Sequence, residues 1–461
     1  MSTLPKFEKP ELLLPAGNLS KLKIGLQYGG DAFFLGFSPF SLRCNDNGFT
    51  MEDLIEGVKL IRAAGKKFYV TMNISPRSEK MEAIKKHLEF LKDEIKPDAL
   101  LVADPGIFEL VQEFYPEAVV HMSVQANILN YRGVDFWRKQ GAERVILPRE
   151  LTLKDIKDIH EKVPKIELEF FVHGAICMAY SGRCLLSNYM TGRDSNQGAC
   201  SHSCRWKYKV LDEKGVEKRE AELASGEKSW NGLEGKDKKE VEEVRSKTMY
   251  LEETKRPGKF YKVEEDDHGT YFMNSKDNCL LPYLRDLAEA GICSFKVEGR
   301  NKTEYYLATV AKTYRKAIDD MMAGKPFDEK LLEEIGKTAS RGFIPGYLFG
   351  YPDDNDTNHA RSSSMQDWKF VGIVMGEAAG FTDGEHYEIS VRNRLDKGKE
   401  IEVMTPDDQF ALIAEEMCDL NGKEVEAIHG GAGNRVIRLK KGVPVGAMIR
   451  ARCEEGEKGE N

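Results

Sequence analysis

Short apolar stretches recur through the first three hundred residues, and each closes on small or polar residues. They are "ELLLPAG" (11–17), "AFFLG" (32–36), "KFYVTMN" (67–73), "ALLVADPG" (99–106), "VVHMSVQAN" (119–127), "RVILPRE" (144–150), "IELEFFVHG" (166–174) and "SFKVEGR" (294–300). Most intervening segments carry a 3.6-residue apolar period, as in "MEDLIEGVKLIRAAG" and "LKDIKDIHEKV", which predicts amphipathic helices. Eight strands alternating with helices predict a closed parallel TIM-like (β/α)8 barrel, with an open doubly wound sheet as the alternative α/β architecture. In such a barrel the strand ends converge on one face, where active sites are built. The polar residues at those ends are Asn73, Asp104, Gln125, Asn127, Arg149, Glu150, His173, Glu298 and Arg300.

The rhythm breaks over 211–269, where charge is dense and apolar residues are few, so this stretch reads as a solvated insertion. "YFMNSKDNC" (271–279) restores a strand pattern, and "TEYYLATVAKTYRKAIDDMMAG" predicts a long amphipathic helix ending at Gly324. From Gln366 the pattern turns to β, in "KFVGIVMGE", "HYEISVRN", "KEIEVMT", "NRVIRLKK" and "VGAMIRAR". The chain therefore divides into a barrel (1–210 and 270–350) carrying the charged insertion 211–269. A linker (351–365), a small β-barrel or sandwich domain (366–453) and a disordered tail (454–461) follow.

Composition narrows the class. With 461 residues, 41% of them hydrophobic and 31% charged, the chain reads as an ordinary globular protein. No apolar run approaches the roughly 20 residues a membrane helix needs, and no signal peptide is visible. Nine cysteines without export signals point to thiols kept reduced in the cytoplasm rather than to a disulfide framework. A net charge of −8 argues against bulk, non-specific nucleic-acid binding, though not against a local basic groove.

The chemistry concentrates in "HGAICMAYSGRC" (173–184) and "GACSHSC" (198–204). Cys177, Cys184, Cys200 and Cys204 follow the spacing C-x6-C-x15-C-x3-C, in surroundings too polar for a packed core. Structural zinc normally takes tighter C-x2-C pairs. Four thiolates at irregular spacing suit an iron–sulfur cluster, with zinc as the alternative. Arg183, Arg193, Arg205, Lys207 and Lys209 share this segment and Arg300 leaves the last barrel strand. Guanidinium groups of this density favour an anionic, carboxylate- or phosphate-bearing ligand. HExxH, GxSxG and P-loop motifs are absent. His121, His160, His202 and His429 read as structural or surface residues.

"EFFVHGAICMAYSGRCLLSNY" fits the pattern E-x-F-x-H-G-x-x-C and resembles the collagenase-like peptidase family, family U thirty-two. "ELLLPAG", "SVQAN", "GRDSNQGACSHSCRWKY", "RPGKFYKVEEDDHGTYFMNSKD", "SFKVEGR" and the β-rich C-terminus extend the resemblance over essentially the whole chain. Within the family the chain is most similar to the prephenate-dependent tRNA uridine 5-hydroxylases. That resemblance implies an oxygen-sensitive [4Fe–4S] cluster on Cys177, Cys184 and Cys200, with Cys204, Cys279 or Cys44 as the fourth ligand. It implies oxygen-independent hydroxylation at C5 of the wobble uridine, presented by a tRNA anticodon loop. Prephenate is the small dicarboxylate co-substrate, for which Arg300, Arg183 and Arg205 are natural clamps. His173 and Glu298 are the expected acid–base groups, and Gln125 and Asn127 the readers of the uracil amide edge. No membrane and no DNA partner is expected. The rival readings are a collagenase-like peptidase centred on His173 and Glu298, and a non-catalytic, metal-stabilised RNA-binding module.

Overall fold

The computed structural model describes residues 7–36, 40–42, 49–177, 179–205, 249–252, 260–266, 269–271, 275–350 and 367–453. Cys44, Lys207, Lys209, most of the charged insertion, the linker and the tail lie outside the described residues.

All eight anticipated barrel strands form. They are β1 (Glu11–Ala16), β2 (Ala32–Leu35), β3 (Lys67–Met72), β4 (Ala99–Val102), β5 (Val120–Met122), β6 (Arg144–Leu147), β7 (Glu167–Ala175) and, after the insertion, β12 (Ile292–Val297). Each pairs in parallel with its neighbour, and β12 pairs with both β1 and β7, which closes the barrel and excludes the open sheet. The helices start where the sequence supplies caps. Thr50 and Asp53 form a capping box, as do Thr152 and Asp155, and Thr303 caps the long helix Glu304–Met322. Alternation along the strands sorts the core. Leu12, Leu14, Phe33, Leu35, Phe170 and Phe295 face the helices, whereas Leu13, Phe34, Leu101, Ile146 and Phe171 fill the barrel.

Towards the strand starts the barrel is sealed by charge, to which Lys296 contributes from the level of Leu13 and Phe171. Arg144 reaches Glu11 at 2.8 Å and Glu169 at 3.1 Å, and Lys296 meets Glu169 at 2.7 Å. Tyr69 and Ser294 donate to Glu11 at 2.7 and 2.9 Å. Burial pulls the Arg144 guanidinium down, but Glu11 and Glu169 more than reverse this and raise it. For Lys296 burial prevails over Glu169 and lowers its pKa.

Between β7 and β12 the insertion ends in structure that its charge density had concealed. Strands β8 (Met249–Glu252), β9 (Phe260–Asp266) and β10 (Gly269–Tyr271) form an antiparallel sheet. The only local signal was the short apolar and aromatic runs "MYL" and "FYKV", outweighed by the surrounding charge. Of the strand expected over 271–279, residues 272–274 lie outside the described residues, and its end forms β11 (Asp277–Cys279), which pairs antiparallel with the end of β7 and parallel with β13 (Phe343–Ile344).

The C-terminal domain is a seven-stranded antiparallel sheet with a core of its own. It comprises β14 (Trp368–Glu377), β15 (His386–Val391), β17 (Glu400–Met404), β18 (Gln409–Ile413), β19 (Met417–Cys418), β21 (Arg435–Arg438) and β22 (Met448–Arg452). The short strands β16 (Leu395–Asp396) and β20 (Ala427–Ile428) pair separately. Phe370, Ile373, Met404 and Met448 join the outer core of the barrel. Arg450, wholly buried, meets Glu334 of the barrel at 2.7 Å and Glu402 at 2.6 Å. Both apolar and ionic contacts therefore join the domain to the barrel wall. No described helix is long and apolar enough to cross a membrane.

Candidate active site at the barrel mouth

The C-terminal strand ends gather most of the polar residues anticipated for the site. Arg300 lies in the wall of the mouth, 6% exposed, its Nη1 meeting Ser41 Oγ at 3.0 Å and Thr71 Oγ1 at 3.4 Å. The position exists because residue 36 is glycine: a Cβ there would fall 1.5 Å from Arg300 Nη1. Beside it Asn73 accepts from the Leu42 amide at 3.1 Å and donates to Ser123 Oγ at 3.3 Å. Gln125 lies in the turn after β5, its amide bonded to Ser123 Oγ at 3.4 Å. Asn127 closes that turn in the left-handed region (φ 51°), and its Oδ1 is buried without a hydrogen-bond partner.

Glu298 follows β12 and binds Arg149 Nη2 at 2.9 Å, both side chains being largely buried. The Arg149 guanidinium lies 3.8 Å above the Phe171 ring, and its Nε is buried with no partner. Arg149 was legible only as a strand-exit residue; its pairing with Glu298 comes from strands that meet only when the barrel closes.

A lid covers this mouth, and the four clustered cysteines are on it. Gly182 passes so close to the turn after β5 that a Cβ would fall 2.0 Å from the Gln125 carbonyl oxygen. Glu150 accepts from the Ser181 amide at 2.8 Å, and the Ser75 amide donates to Asn196 O at 3.0 Å. Lys80 holds Gln197 at 2.9 Å. Within the lid, Ser195 Oγ and Asn196 Nδ2 both donate to the Cys184 carbonyl, at 2.8 and 3.1 Å. A hydroxyl chain runs from Ser187 through Ser201 to Ser203, next to Cys204. Cys177 is exposed, and Cys184, Cys200 and Cys204 are partly exposed; all four are free thiols. Among the described residues no three His, Cys, Asp or Glu side chains converge tightly enough to grip a single metal ion. The four cysteines on one lid are donors of the kind that zinc and iron–sulfur clusters both take. Arg183 is exposed on this lid, and Arg205 ends its last turn, Ser203–Arg205.

Two anticipated site residues lie elsewhere. His173, 1% exposed, is packed among Tyr306, Tyr314 and Phe343. Tyr314 donates its hydroxyl proton to Val172 O at 2.8 Å, so His173 Nδ1, 3.3 Å from that hydroxyl oxygen, serves as the donor to it. Burial pushes the imidazole down to about 3, so the ring is neutral near pH 7 and enclosed. The structure thus places His173 in the packed interior rather than on the open surface of the mouth. Cys279 sits on β11 opposite His173, back along β7 from Cys177 and inside the core. Its sulfur lies 3.8 Å from the Tyr314 hydroxyl, and burial raises the thiol pKa. It does not join the lid cysteines, because the antiparallel register of β11 carries it away from them.

A barrel closed below by paired charge and covered above by a thiol-bearing lid defines an enzyme scaffold with its chemistry at the C-terminal face. The model of Peptidase family U32 matches residues 17–358, and that of its C-terminal domain matches 366–450. The chain belongs to this family. It is 41% identical over 429 residues to tRNA hydroxylation protein P of Escherichia coli, covering 92% of each chain. It is 35% identical to tRNA hydroxylation protein P1 of Bacillus subtilis, over 91% of this chain and 89% of that one. The 23S rRNA 5-hydroxycytidine C2501 synthase of Escherichia coli is 27% identical, over 86% of this chain and 52% of its own.

Proposed function

We propose that this protein is an RNA-base hydroxylase whose substrate is tRNA and whose target is C5 of the wobble uridine, with prephenate as co-substrate. The observation that carries the reading is the superposition of the four-thiol lid on a mouth containing Arg300 and Asn127. Relatives named for tRNA and rRNA hydroxylation support it. The same names distinguish it from the peptidase reading, which also loses its histidine to the core.

A base inside a helical stack is out of reach, but an anticodon-loop base can be splayed into a pocket. At the mouth Asn127 Oδ1, buried and unpartnered, suits the N3–H of a uracil ring, with Gln125 beside it. Arg300 binds a carboxylate of the co-substrate through its planar fork. Glu298, held by Arg149, is the acid–base candidate that remains at the mouth. Cys177, Cys184, Cys200 and Cys204 would hold a [4Fe–4S] cluster, which when bound supplies electron transfer. Hydrogen bonds to the loops after β3 and β6 and the close approach of Gly182 to Gln125 hold the lid over the mouth that contains Arg300 and Asn127. Such a reaction belongs in the cytoplasm, with the tRNA.

Mass spectrometry of bulk tRNA from a strain lacking the gene tests this. Wobble-uridine hydroxylation is expected to vanish and to return with the wild-type chain; hydroxylation unchanged in the deletion strain would sink the proposal.

A further inference from the structure

The outer surface of the lid has a composition that none of the site chemistry uses. Of the twelve exposed large hydrophobic side chains among the described residues, four lie between 180 and 190: Tyr180 (50%), Leu185 (71%), Tyr189 (87%) and Met190 (40%). Arg183 and Arg193 are interleaved with them and are also exposed. No carboxylate among the described residues pairs with either arginine. Asp194, the acid beside them, is turned inward as a cap on the Asn196 amide at 2.9 Å. The backbone beneath is tied down by the Ser187 and Ser195 hydroxyls and by the Glu150 and Ser75 contacts. Tyr180 and Tyr189 are thus held out on an anchored platform rather than on a free loop.

Exposed rings alternating with unpaired guanidinium groups are the recognition chemistry of single-stranded nucleic acid. Rings stack on base faces without regard to sequence, and arginines take the phosphates between. A second protein is the weaker occupant, since a protein interface core is depleted in charge and this face carries two unneutralised cations. We infer that Tyr180, Arg183, Tyr189 and Arg193 form a stacking platform for unpaired RNA nucleotides flanking the base that enters the mouth. This rests on the tRNA reading and deepens it: the lid that bears the thiols also grips the loop.

Equilibrium binding of a fluorescent anticodon stem-loop to the full chain, without turnover, tests it. Tyr189→Ala and Tyr180→Ala are each expected to weaken binding about tenfold, Tyr189→Phe to restore it, and a fully paired RNA duplex to show no difference among the variants. The positions are exposed, so melting temperatures stay at the wild-type value. If the wild-type chain binds the stem-loop and the alanine variants bind it equally well, the platform is refuted and the tRNA reading survives. A wild-type chain that does not bind the stem-loop refutes both. A change in sedimentation with unchanged RNA affinity assigns the face to a protein contact and overturns the inference.

Discussion

The two ends of the barrel are both polar, and they are polar in opposite ways. At the sealed end Arg144 and Lys296 are opposed by Glu11 and Glu169 at hydrogen-bonding distance, and all four side chains are largely or wholly buried. At the strand ends Asn127 Oδ1 and Arg149 Nε are buried without partners, and Arg183 and Arg193 are exposed on the lid with no carboxylate partner among the described residues. Charge neutralised within the fold serves architecture, because removing one partner strands the other in a medium that solvates it poorly. Polar groups left unsatisfied near an opening cost stability and persist where a ligand completes them.

The sharpest way to break this contrast is at the sealed end. Glu169→Ala leaves Lys296 and Arg144 without their shared acid and is expected to cost about 3–5 kcal/mol, measured by urea unfolding. A loss below about 1 kcal/mol would show that the base is no more committed to stability than the mouth. At the open end, Cys204→Ser is expected to lower tRNA hydroxylation about a hundredfold, an activation difference of about 2.7 kcal/mol, and to reduce iron per chain after anaerobic purification. Cys279→Ser should leave the iron content at the wild-type value; the reverse pattern would return Cys279 to the ligand set.

His173 marks the border between the two regimes, and pH exposes it. Burial pushes its pKa down to about 3 against 6.5 for a solvated ring, so on acidification the unfolded chain takes up the proton first. Its contribution to stability is complete above about pH 7 and drains as pH falls from 6.5 towards 3, reaching about 2 kcal/mol lost at pH 5. The difference in unfolding free energy between pH 7 and pH 5 should therefore shrink by that amount in His173→Phe. An unchanged difference would mean that the ring is solvated and available to the mouth after all. The smallest effect on folding is expected for Glu298→Gln, about 1 kcal/mol, because the amide still accepts from Arg149. Hydroxylation should nonetheless fall at least tenfold; full activity would remove Glu298 from the acid–base role.

The eight strands were legible because a buried parallel strand must be almost wholly apolar and must end where the chain turns to solvent. Those two requirements leave runs such as "AFFLG" and "RVILPRE" in plain sight. The lid cysteines were legible too, since four thiols in a polar stretch have no packing reason to be there. Arg149 was visible at its strand exit but not as the partner of Glu298, because that pair comes from residues 149 apart in sequence. The sheet β8–β10 was hidden by a charge density that overwhelms its short apolar runs.

From residue order alone came the barrel, its polar rim, the thiol segment and the β-rich second domain, all consequences of local periodicity and of chemistry written in adjacent positions. Tertiary structure alone decided which rim residues reach the mouth. It enclosed His173 and Cys279 in the core, buried Arg300 in the space that Gly36 leaves open, and drew the lid across β3, β5 and β6. The direction and burial of a side chain depend on what distant strands bring beside it, and no local pattern encodes that.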